Sequence, residues 1–417
     1  MPKNNILDNK KKMRSFSLFT IFMLCLAILI VDVLAFYWLL AITKPIEPQI
    51  IKTVIYVVFW TFTIGLVASI LILKTRLDKF HRKHKQLLIS SLYGLTVSSF
   101  VPKIIFVVVI SILYYTNYVF GQKESVYIVP IVGLLSGFLP FFVILFGIFK
   151  SLYRFKLAII PLKHELLPTN FDGFKIAQIS DLHLGSFNFR YHILDRAIET
   201  INLLKPDIIV FTGDLVNNFS WELKGWTTVL EKLNAKEGKY AVLGNHDYGD
   251  YSEWKTLELK KQNFENIKFF HKKIGFNLLL NEAVIIEREQ DKLALIGVEN
   301  WGIPPFKQYG NLNNAIKKVK HIPFKILLSH DPTHWSQEVI KDTNIALTLS
   351  GHTHGMQAGI KTKKREWSPI KYKYKHWAGL YFIGNQYLYV NRGLGWMGFP
   401  GRLGMRPEIT LFELHAK

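Results

Sequence analysis

The sequence predicts an α/β unit with a mixed, two-sheet layered core, preceded by four transmembrane helices. Three observations predict it. Apolar residues make up 49% of the 417 positions and gather in four long runs before residue 150. Beyond residue 167, short buried-strand patterns alternate with amphipathic helical ones, and the later strands follow each other closely, as antiparallel neighbours do. Five clusters of Asp, Asn and His each stand just past a predicted strand, where ligand sites collect in open α/β sheets. The length allows two or three units. They are read as a transmembrane region over 1–150, a linker over 151–166 and a catalytic domain over 167–417.

The four runs extend over about Phe16–Ala41, Val54–Leu73, Leu88–Tyr115 and Val126–Phe149; a helix crosses a bilayer in roughly 20 residues. The first is too long for a signal-peptide core and has no small-residue cleavage site, so it is expected to be retained. Pro102, Pro130, Gly133, Gly137 and Pro140 interrupt the last two. Spans tolerate such residues because neighbouring helices satisfy the freed backbone groups. Lys3, Lys10, Lys11, Lys12 and Arg14 precede the first run, and Lys74, Arg76, Lys79, Arg82, Lys83 and Lys85 separate the second from the third. Lys150, Arg154 and Lys156 follow the fourth, whereas the two remaining loops hold only Lys44, Lys52 and Lys123. The positive-inside rule therefore predicts a multi-pass protein of the inner, cytoplasmic membrane with its catalytic domain in the cytoplasm. Asp32 and Lys103 fall inside apolar runs, where charges mark either an ion path or a pair within the bundle; pairing is expected, because transporters carry several such residues.

The formal net charge is +21, with 16 basic and 5 acidic residues over 1–150. Both halves are basic. Anionic lipid accounts for that surplus as well as nucleic acid does once spans are present. The single cysteine, Cys25, excludes an intrachain disulfide or a Cys-rich zinc site.

In the catalytic half, strands are predicted at Phe174–Ser180, Asp207–Thr212, Tyr240–Leu243, Ile267–Phe270, Ala283–Glu287, Leu293–Val298, Phe324–Leu328, Ala346–Leu349, Leu388–Val390 and Ile409–Leu414. Helices are predicted over Ile193–Leu204, Trp221–Leu233, Ser252–Gln262 and Asn313–Lys320. Asp181 and His183 follow the first of these strands, two residues apart, so both side chains can face one way. Asp214 follows the second with Asn217 three residues on, and Asn245, His246 and Asp247 follow the third. His330 follows KILLS, and His352 and His354 follow ALTLSG. Gly213, Gly244 and Gly351 stand just before three of these clusters, which suits tight turns and close approach to an ion. Imidazole, carboxylate and amide donors without thiolate suit Mn, Fe, Zn or Co. Seven such groups exceed one ion's needs and point to two, about 3.5–4 Å apart, able to clamp a phosphoryl group and activate water. His334, His321, His271 and His376 lack such context and are expected to be ordinary core or surface residues.

The five blocks ISDLHLG, GDLVN, GNHD, SHDP and GHTHG, in this order, resemble the calcineurin-like metallophosphoesterase superfamily. With GLY…YLYVNRGLG after the last block, the chain is most similar to membrane-associated bacterial phosphoesterases of the YkuE/YaeI type. The resemblance implies a four-layer αββα metallophosphoesterase sandwich with two divalent metal ions, manganese among the options. It assigns Asp181, His183, Asp214 and His354 to one ion and Asp214, Asn245, His330 and His352 to the other, with Asp214 bridging. His246 would contact phosphate and protonate the leaving oxygen, a role suited to imidazole at working pH, and Asp247 would orient it. Asn217 occupies a position that varies. Met356 stands where relatives often carry a second glycine, which is expected to change pocket shape and not metal binding.

Between Lys361 and Phe382 basic and aromatic residues interleave, with Trp367, Tyr372, Tyr374 and Trp377 as candidate substrate or membrane contacts alongside Asn217. Three readings stay open: a lipid-facing collar, a stacking platform for bases, or a hairpin whose aromatics pack on the core, as the alternation of KYKYKHW allows. Of the functional pair, lipid is favoured.

The expected function is a membrane-anchored, dinuclear-metal hydrolase of phosphoester bonds (EC 3.1 class), a phosphodiesterase or related enzyme. Its substrate would be a phosphoester or pyrophosphate on a lipid-linked or amphipathic molecule, its partners that substrate and the bilayer, and nucleic acid is not expected. Two alternatives are a nucleotide or nucleic-acid phosphodiesterase, and a transporter or sensor carrying a regulatory phosphoesterase-like domain.

Overall fold

The computed structural model describes residues 18–76, 82–120, 125–187, 190–304, 307–362 and 365–417. The basic cluster from Lys3 to Arg14, the start of the first run at Phe16, and Lys79 and Lys123 lie outside these residues. Four apolar helices come first: α1 (Leu18–Ile42), α2 (Gln49–Arg76), α3 (Arg82–Phe120) and α4 (Ser125–Phe149). Each is long and apolar enough to cross a membrane. Their outward faces carry Phe22, Ile30, Val58, Ile112, Leu139 and Phe142, the composition a lipid-facing surface requires. Helix α3 runs unbroken through Pro102.

The pair expected inside the bundle is present. The Lys103 ammonium lies 2.8 Å from both carboxylate oxygens of Asp32, and the Thr63 hydroxyl donates to the same carboxylate. The Phe59 ring lies 4.7 Å from the ammonium. This ties α1, α2 and α3 together, and both Asp32 oxygens are paired.

The catalytic domain begins with β1 (Lys156–His164), β2 (Phe174–Ile179), α5 (His192–Leu203), β3 (Ile208–Phe211), α6 (Thr227–Leu230), β4 (Gly238–Ala241), α7 (Leu257–Lys273) and β5 (Asn277–Leu278). It continues with β6 (Glu282–Arg288), β7 (Asp291–Gly297), α8 (Leu312–Ile316), β8 (Lys325–Leu328), β9 (Leu347–Ser350), β10 (Ile360–Lys361) and β11 (Glu366–Trp367). The last strands are β12 (Gly379–Ile383), β13 (Gln386–Val390) and β14 (Glu408–Ala416). Two mixed six-stranded sheets result, ordered β1-β14-β2-β3-β4-β5 and β12-β13-β9-β8-β7-β6, with β10 and β11 paired apart from them.

Neighbouring residues on one strand point to opposite faces, and here both faces are buried. Ile176, Ile208, Leu295 and Ile326 fill the space between the sheets. Their neighbours Ala177 and Ile209 pack under α5 and α7, and Ile296 and Leu327 pack under α8 and Trp335. Three apolar interfaces thus separate four layers, helix–sheet–sheet–helix. Buried Leu, Ile or Phe side chains contribute about 1.5–3 kcal/mol each, which explains why these strands read as continuous apolar runs.

Several elements differ from expectation. Residues 151–166, expected as a linker, form a short turn and β1, an edge strand pairing in parallel with β14. Its basic, alternating pattern is that of a strand with one wet face. The helix expected over Trp221–Leu233 is broken at Gly225, whose φ of 83° is left-handed, leaving only a turn and α6. The expected Ser252–Gln262 helix and Ile267–Phe270 strand are one helix, α7, capped by Thr256, whose hydroxyl accepts from the Leu259 N–H at 3.2 Å. Asn263, Ile267, Phe270 and His271 are buried at helical spacing, so tertiary packing decides the matter. KYKYKHW forms no strand; Ser368 and Pro369 start a tight turn there instead.

The domain is seated on the end of the bundle formed by the start of α3 and the finish of α4. Residues 396–404 make the contact. The Arg402 N–H donates to the Gly147 carbonyl at 3.1 Å, and the Phe399 ring packs edge-on against Tyr93 with centroids 6.5 Å apart. A Cβ on Gly94 would lie 2.9 Å from the Pro400 ring, so glycine lets this loop reach α3.

Removing one member of a buried ion pair costs about 3–5 kcal/mol by leaving the other unpaired. Asp32→Asn is therefore expected to lower the thermal midpoint of the detergent-solubilised protein. Adding Lys103→Met should restore part of it, with hydrolysis of a soluble phosphodiester retained throughout. Lost hydrolysis in a folded Asp32→Asn variant would give the pair a working role.

Candidate metal centre

All five motif turns converge at one end of the paired sheets. Asp181 and His183 follow β2, Asp214 follows β3, Asn245 and His246 follow β4, His330 follows β8, and His352 and His354 follow β9. The turns are tight to the point of strain. Among described residues, ten non-glycine residues have positive φ, and five of them are Asp181, His183, Asp214, His352 and His354. Left-handed backbone costs a non-glycine residue of order 1–3 kcal/mol and persists only where the surroundings enforce it. The enforcing bonds are visible. The N–H groups of Asp181 and His183 donate to the carbonyls of Gly213 and Asp214 at 2.9 and 3.1 Å, and the Gly395 N–H donates to the Asp181 carbonyl at 2.9 Å.

Two donor clusters form. In the first, His183 Nε2 and His354 Nε2 face each other at 3.1 Å, with an Asp181 oxygen 3.3 Å from His354 Nε2. In the second, His330 Nε2 and His352 Nδ1 approach to 3.3 Å, and the Asn245 amide oxygen lies 3.2 and 2.8 Å from them. Asp214 Oδ2 stands between the clusters, 3.5 Å from His183 Nε2 and 3.2 Å from His330 Nε2. Each group of three His or Asp donors fits within 4.8 Å, the spread expected around one ion. Burial lowers His183 to about 3 and His352 to about 4, which keeps their ring nitrogens free to donate lone pairs. Burial, reinforced by Asp214 against the pull of His330, lifts the Asp181 carboxyl to about 7. Burial works against protonation of His330, yet Asp214 raises it to about 10. The centre thus draws positive charge towards Asp214. Facing imidazole nitrogens around buried carboxylates fit two divalent cations.

The other ring nitrogens are fixed by the surrounding chain, as metal-binding imidazoles require. His183 Nδ1 contacts the Asn217 side-chain oxygen at 2.9 Å, His330 Nδ1 the Thr212 carbonyl at 2.7 Å, and His352 Nε2 the Tyr374 hydroxyl at 2.7 Å. His246 lies over His183 with ring centroids 5.0 Å apart, and its Nδ1 meets the Asn217 carbonyl at 2.7 Å.

That geometry corrects the role expected of Asp247. Its carboxylate accepts the backbone N–H groups of Asp214, Leu215, Val216 and Gly244 at 2.9–3.2 Å and does not touch His246. It clamps the turn that aims Asp214, while the Asn217 carbonyl holds the His246 ring. The aromatic candidates also divide. Tyr374 is buried against His352, and Trp377 is buried against Met405 with its carbonyl accepting from Thr353, so Trp377 is not a surface contact. Trp367 and Tyr372 are exposed. Met356 has a φ of 55°, the conformation a glycine would adopt freely, and points outward. His271, His334 and His376 are buried away from the centre.

Sequence reasoning missed two buried charges. Glu222 accepts the N–H groups of Asn217, Asn218 and Phe219 at 2.6–3.2 Å and so fixes the loop that orients His183 and His246. Arg402 donates to the carbonyls of Arg392 at 2.8 Å and Gly393 at 3.1 Å and to that of Gly395, and its guanidinium lies 3.5 Å from His354 Nδ1. Neither sits in a recognisable spacing; only burial reveals them.

A two-cluster His/Asp centre at strand ends, in a four-layer sandwich joined to spanning helices, defines a membrane metal-dependent phosphoester hydrolase. Comparison with known proteins agrees. Residues 174–356 match the calcineurin-like phosphoesterase family and residues 13–152 match the transmembrane domain of four-span calcineurin-like phosphoesterases. The chain belongs to the calcineurin-like phosphoesterase family. It is 34% identical over 265 residues to the uncharacterized metallophosphoesterase YkuE of Bacillus subtilis, covering 61% of this chain and 84% of YkuE. It is 29% identical over 257 residues to the phosphodiesterase YaeI of Escherichia coli, covering 61% and 87%. A Bos taurus transmembrane protein with a metallophosphoesterase domain is 30% identical over 257 residues; the match covers 60% of this chain and 55% of the bovine protein.

Asp214 touches both clusters, so its loss should disturb both. Elemental analysis of purified protein is expected to find about two metal equivalents per chain, as a two-ion site holds, and one or none in Asp214→Ala. Two retained equivalents would show that Asp214 is not shared.

Proposed function

We propose that the protein is a membrane-anchored hydrolase acting from the cytoplasmic face on a phosphoester or pyrophosphate carried by a lipid-linked or amphipathic molecule. The observation that carries this reading is the seating of the centre on the bundle. The His354 turn shares its supporting loop, 396–404, with the start of α3 and the end of α4, which supports a substrate met beside the bilayer. The short basic loops of the sequence support the cytoplasmic orientation. Exposed Met356, Ile360, Trp367 and Tyr372 among Lys361, Lys371 and Lys373 suit an interface of headgroups and acyl chains.

In this reading Asp181, His183, Asp214 and His354 hold one ion, and Asp214, Asn245, His330 and His352 hold the other. Bound there, two cations supply an activated water and offset charge on the phosphoryl oxygens. The chain does the rest. With Nδ1 held by the Asn217 carbonyl, His246 presents Nε2 to the centre. Water adds to phosphorus and gives a proton to solvent, the ester P–O bond breaks, and the departing oxygen takes the Nε2 proton of the doubly protonated His246 ring, which solvent then restores. Asp247 and Glu222 keep the Asp214 and Asn217 turns in place.

Two measurements test the proposal. His246→Gln is expected to lower kcat by about 10²–10⁴-fold for an alkyl ester, but far less for a nitrophenyl ester whose leaving group needs no proton; equal losses would remove His246 as the acid. Across a panel of lipid pyrophosphate, lipid phosphodiester, nucleotide and DNA, kcat/KM should be highest for a lipid member. Trp367→Ala with Tyr372→Ala should raise KM for that member alone. A nucleotide or DNA preference unaffected by those changes would overturn the lipid assignment.

A further inference from the structure

The supporting loop does more than attach the domain. It is gripped on one side by α4 and on the other by the segment that carries His354. From the bundle, the Gly147 carbonyl takes the Arg402 N–H at 3.1 Å. From the domain, the Gln357 side chain donates to the carbonyls of Phe399 and Gly401 at 2.8 and 3.2 Å. The Gln357 carbonyl also accepts the Leu403 N–H at 2.7 Å, and Gln357 is three residues beyond His354. Within the loop, Arg402 is fully buried. Its guanidinium lies against His354 and gathers the carbonyls of residues 392, 393 and 395. That gathered segment in turn bonds the strained turn of the first cluster: the Leu394 N–H donates to the Ser180 carbonyl at 3.0 Å and the Gly395 N–H to the Asp181 carbonyl at 2.9 Å.

An unbroken series of backbone and guanidinium bonds therefore runs from a transmembrane helix to Asp181 and His354. The second cluster joins that series only at its far end, where the His352 N–H donates to the Asp181 carboxylate at 3.0 Å and the Gly351 N–H to the His330 carbonyl at 3.0 Å, while Asn245 hangs on β4. We infer that the bundle, through Gly147 and Arg402, sets the metal affinity of the Asp181–His183–His354 position and acts far less on the Asn245–His330–His352 position, which it reaches only through Asp181. Ion affinity depends on donor placement to within about 0.2 Å, and altering the groups that orient donors costs 10–100-fold. Arg402 acts as a positioning residue, and Gly147 is the point where the membrane helix enters the support. A Cβ there would meet the Leu403 side chain and lie 3.0 Å from the Arg402 carbonyl oxygen, pushing on the loop's backbone. Gly65 in α2 is the internal control, since a Cβ at that position meets nothing within 4 Å.

The inference rests on the two-ion reading, and its test separates the two. Full-length wild type, Gly147→Val, Gly65→Val and Arg402→Lys, purified in detergent and stripped by chelator, are titrated with Mn2+ by calorimetry and electron paramagnetic resonance. Wild type and Gly65→Val are expected to show two sites of unchanged affinity. In Gly147→Val and Arg402→Lys one site should weaken by about 10–100-fold and the other by much less, and His354→Ala should remove the same site. Equal weakening of both sites, wild-type binding in Gly147→Val and Arg402→Lys, or an equal loss in Gly65→Val would each overturn it. A wild type that binds fewer than two ions would instead refute the two-ion reading itself.

Discussion

Asp214 is the group on which the rest of the molecule depends. Its carboxylate is buried between two clusters of imidazoles, and a buried anion must be answered by nearby positive charge. Every arrangement around it serves that need. The clamp of Asp247 fixes its backbone, His246 donates a backbone N–H to its other oxygen at 2.9 Å, and the four histidines of the two clusters point ring nitrogens at the space it faces. Strain in the turns persists because their backbone bonds and the layered sheets below enforce it at about 1–3 kcal/mol per left-handed residue.

Much of this was legible in the chain. Each donor stands at the end of a buried strand, and such strands announce themselves as short runs of Ile, Val and Leu. Asp214 after DIIVFTG and His352 after ALTLSG are read directly. The spans were equally plain, because no soluble element needs 20 uninterrupted apolar residues. The errors came where tertiary contacts override local pattern. NIKFF looks like a strand in isolation, but Ile267 and Phe270 lie on the buried side of α7, three residues apart. Edge strand β1 carries too many lysines to announce itself. Glu222 and Arg402 sit among residues with no shared spacing, and their function lies in backbone groups that no sequence pattern displays. Asp247 was noticed for its neighbour in the chain, when its partners are three N–H groups of the Asp214 turn and one of its own.

The membrane half obeys the same accounting at lower complexity. One carboxylate, one ammonium and one hydroxyl answer each other between α1, α2 and α3, the Trp38 indole donates to the Ser111 hydroxyl at 3.1 Å, and much of the remaining packing is apolar. Pairing of this sort holds three helices together at the depth where an isolated charge is most costly.

The position of β14 has a consequence for how the protein is made. It lies between β1 and β2, pairing with one in parallel and the other in antiparallel, and its Glu408 carries ion pairs to Lys156 and Arg392. The first and second strands of the domain therefore cannot join until β14, made about 230 residues after β2, arrives. On a ribosome the four helices enter the bilayer while that sheet is still open. Closure of that sheet waits for β14, long after the attachment of the chain to the membrane is settled.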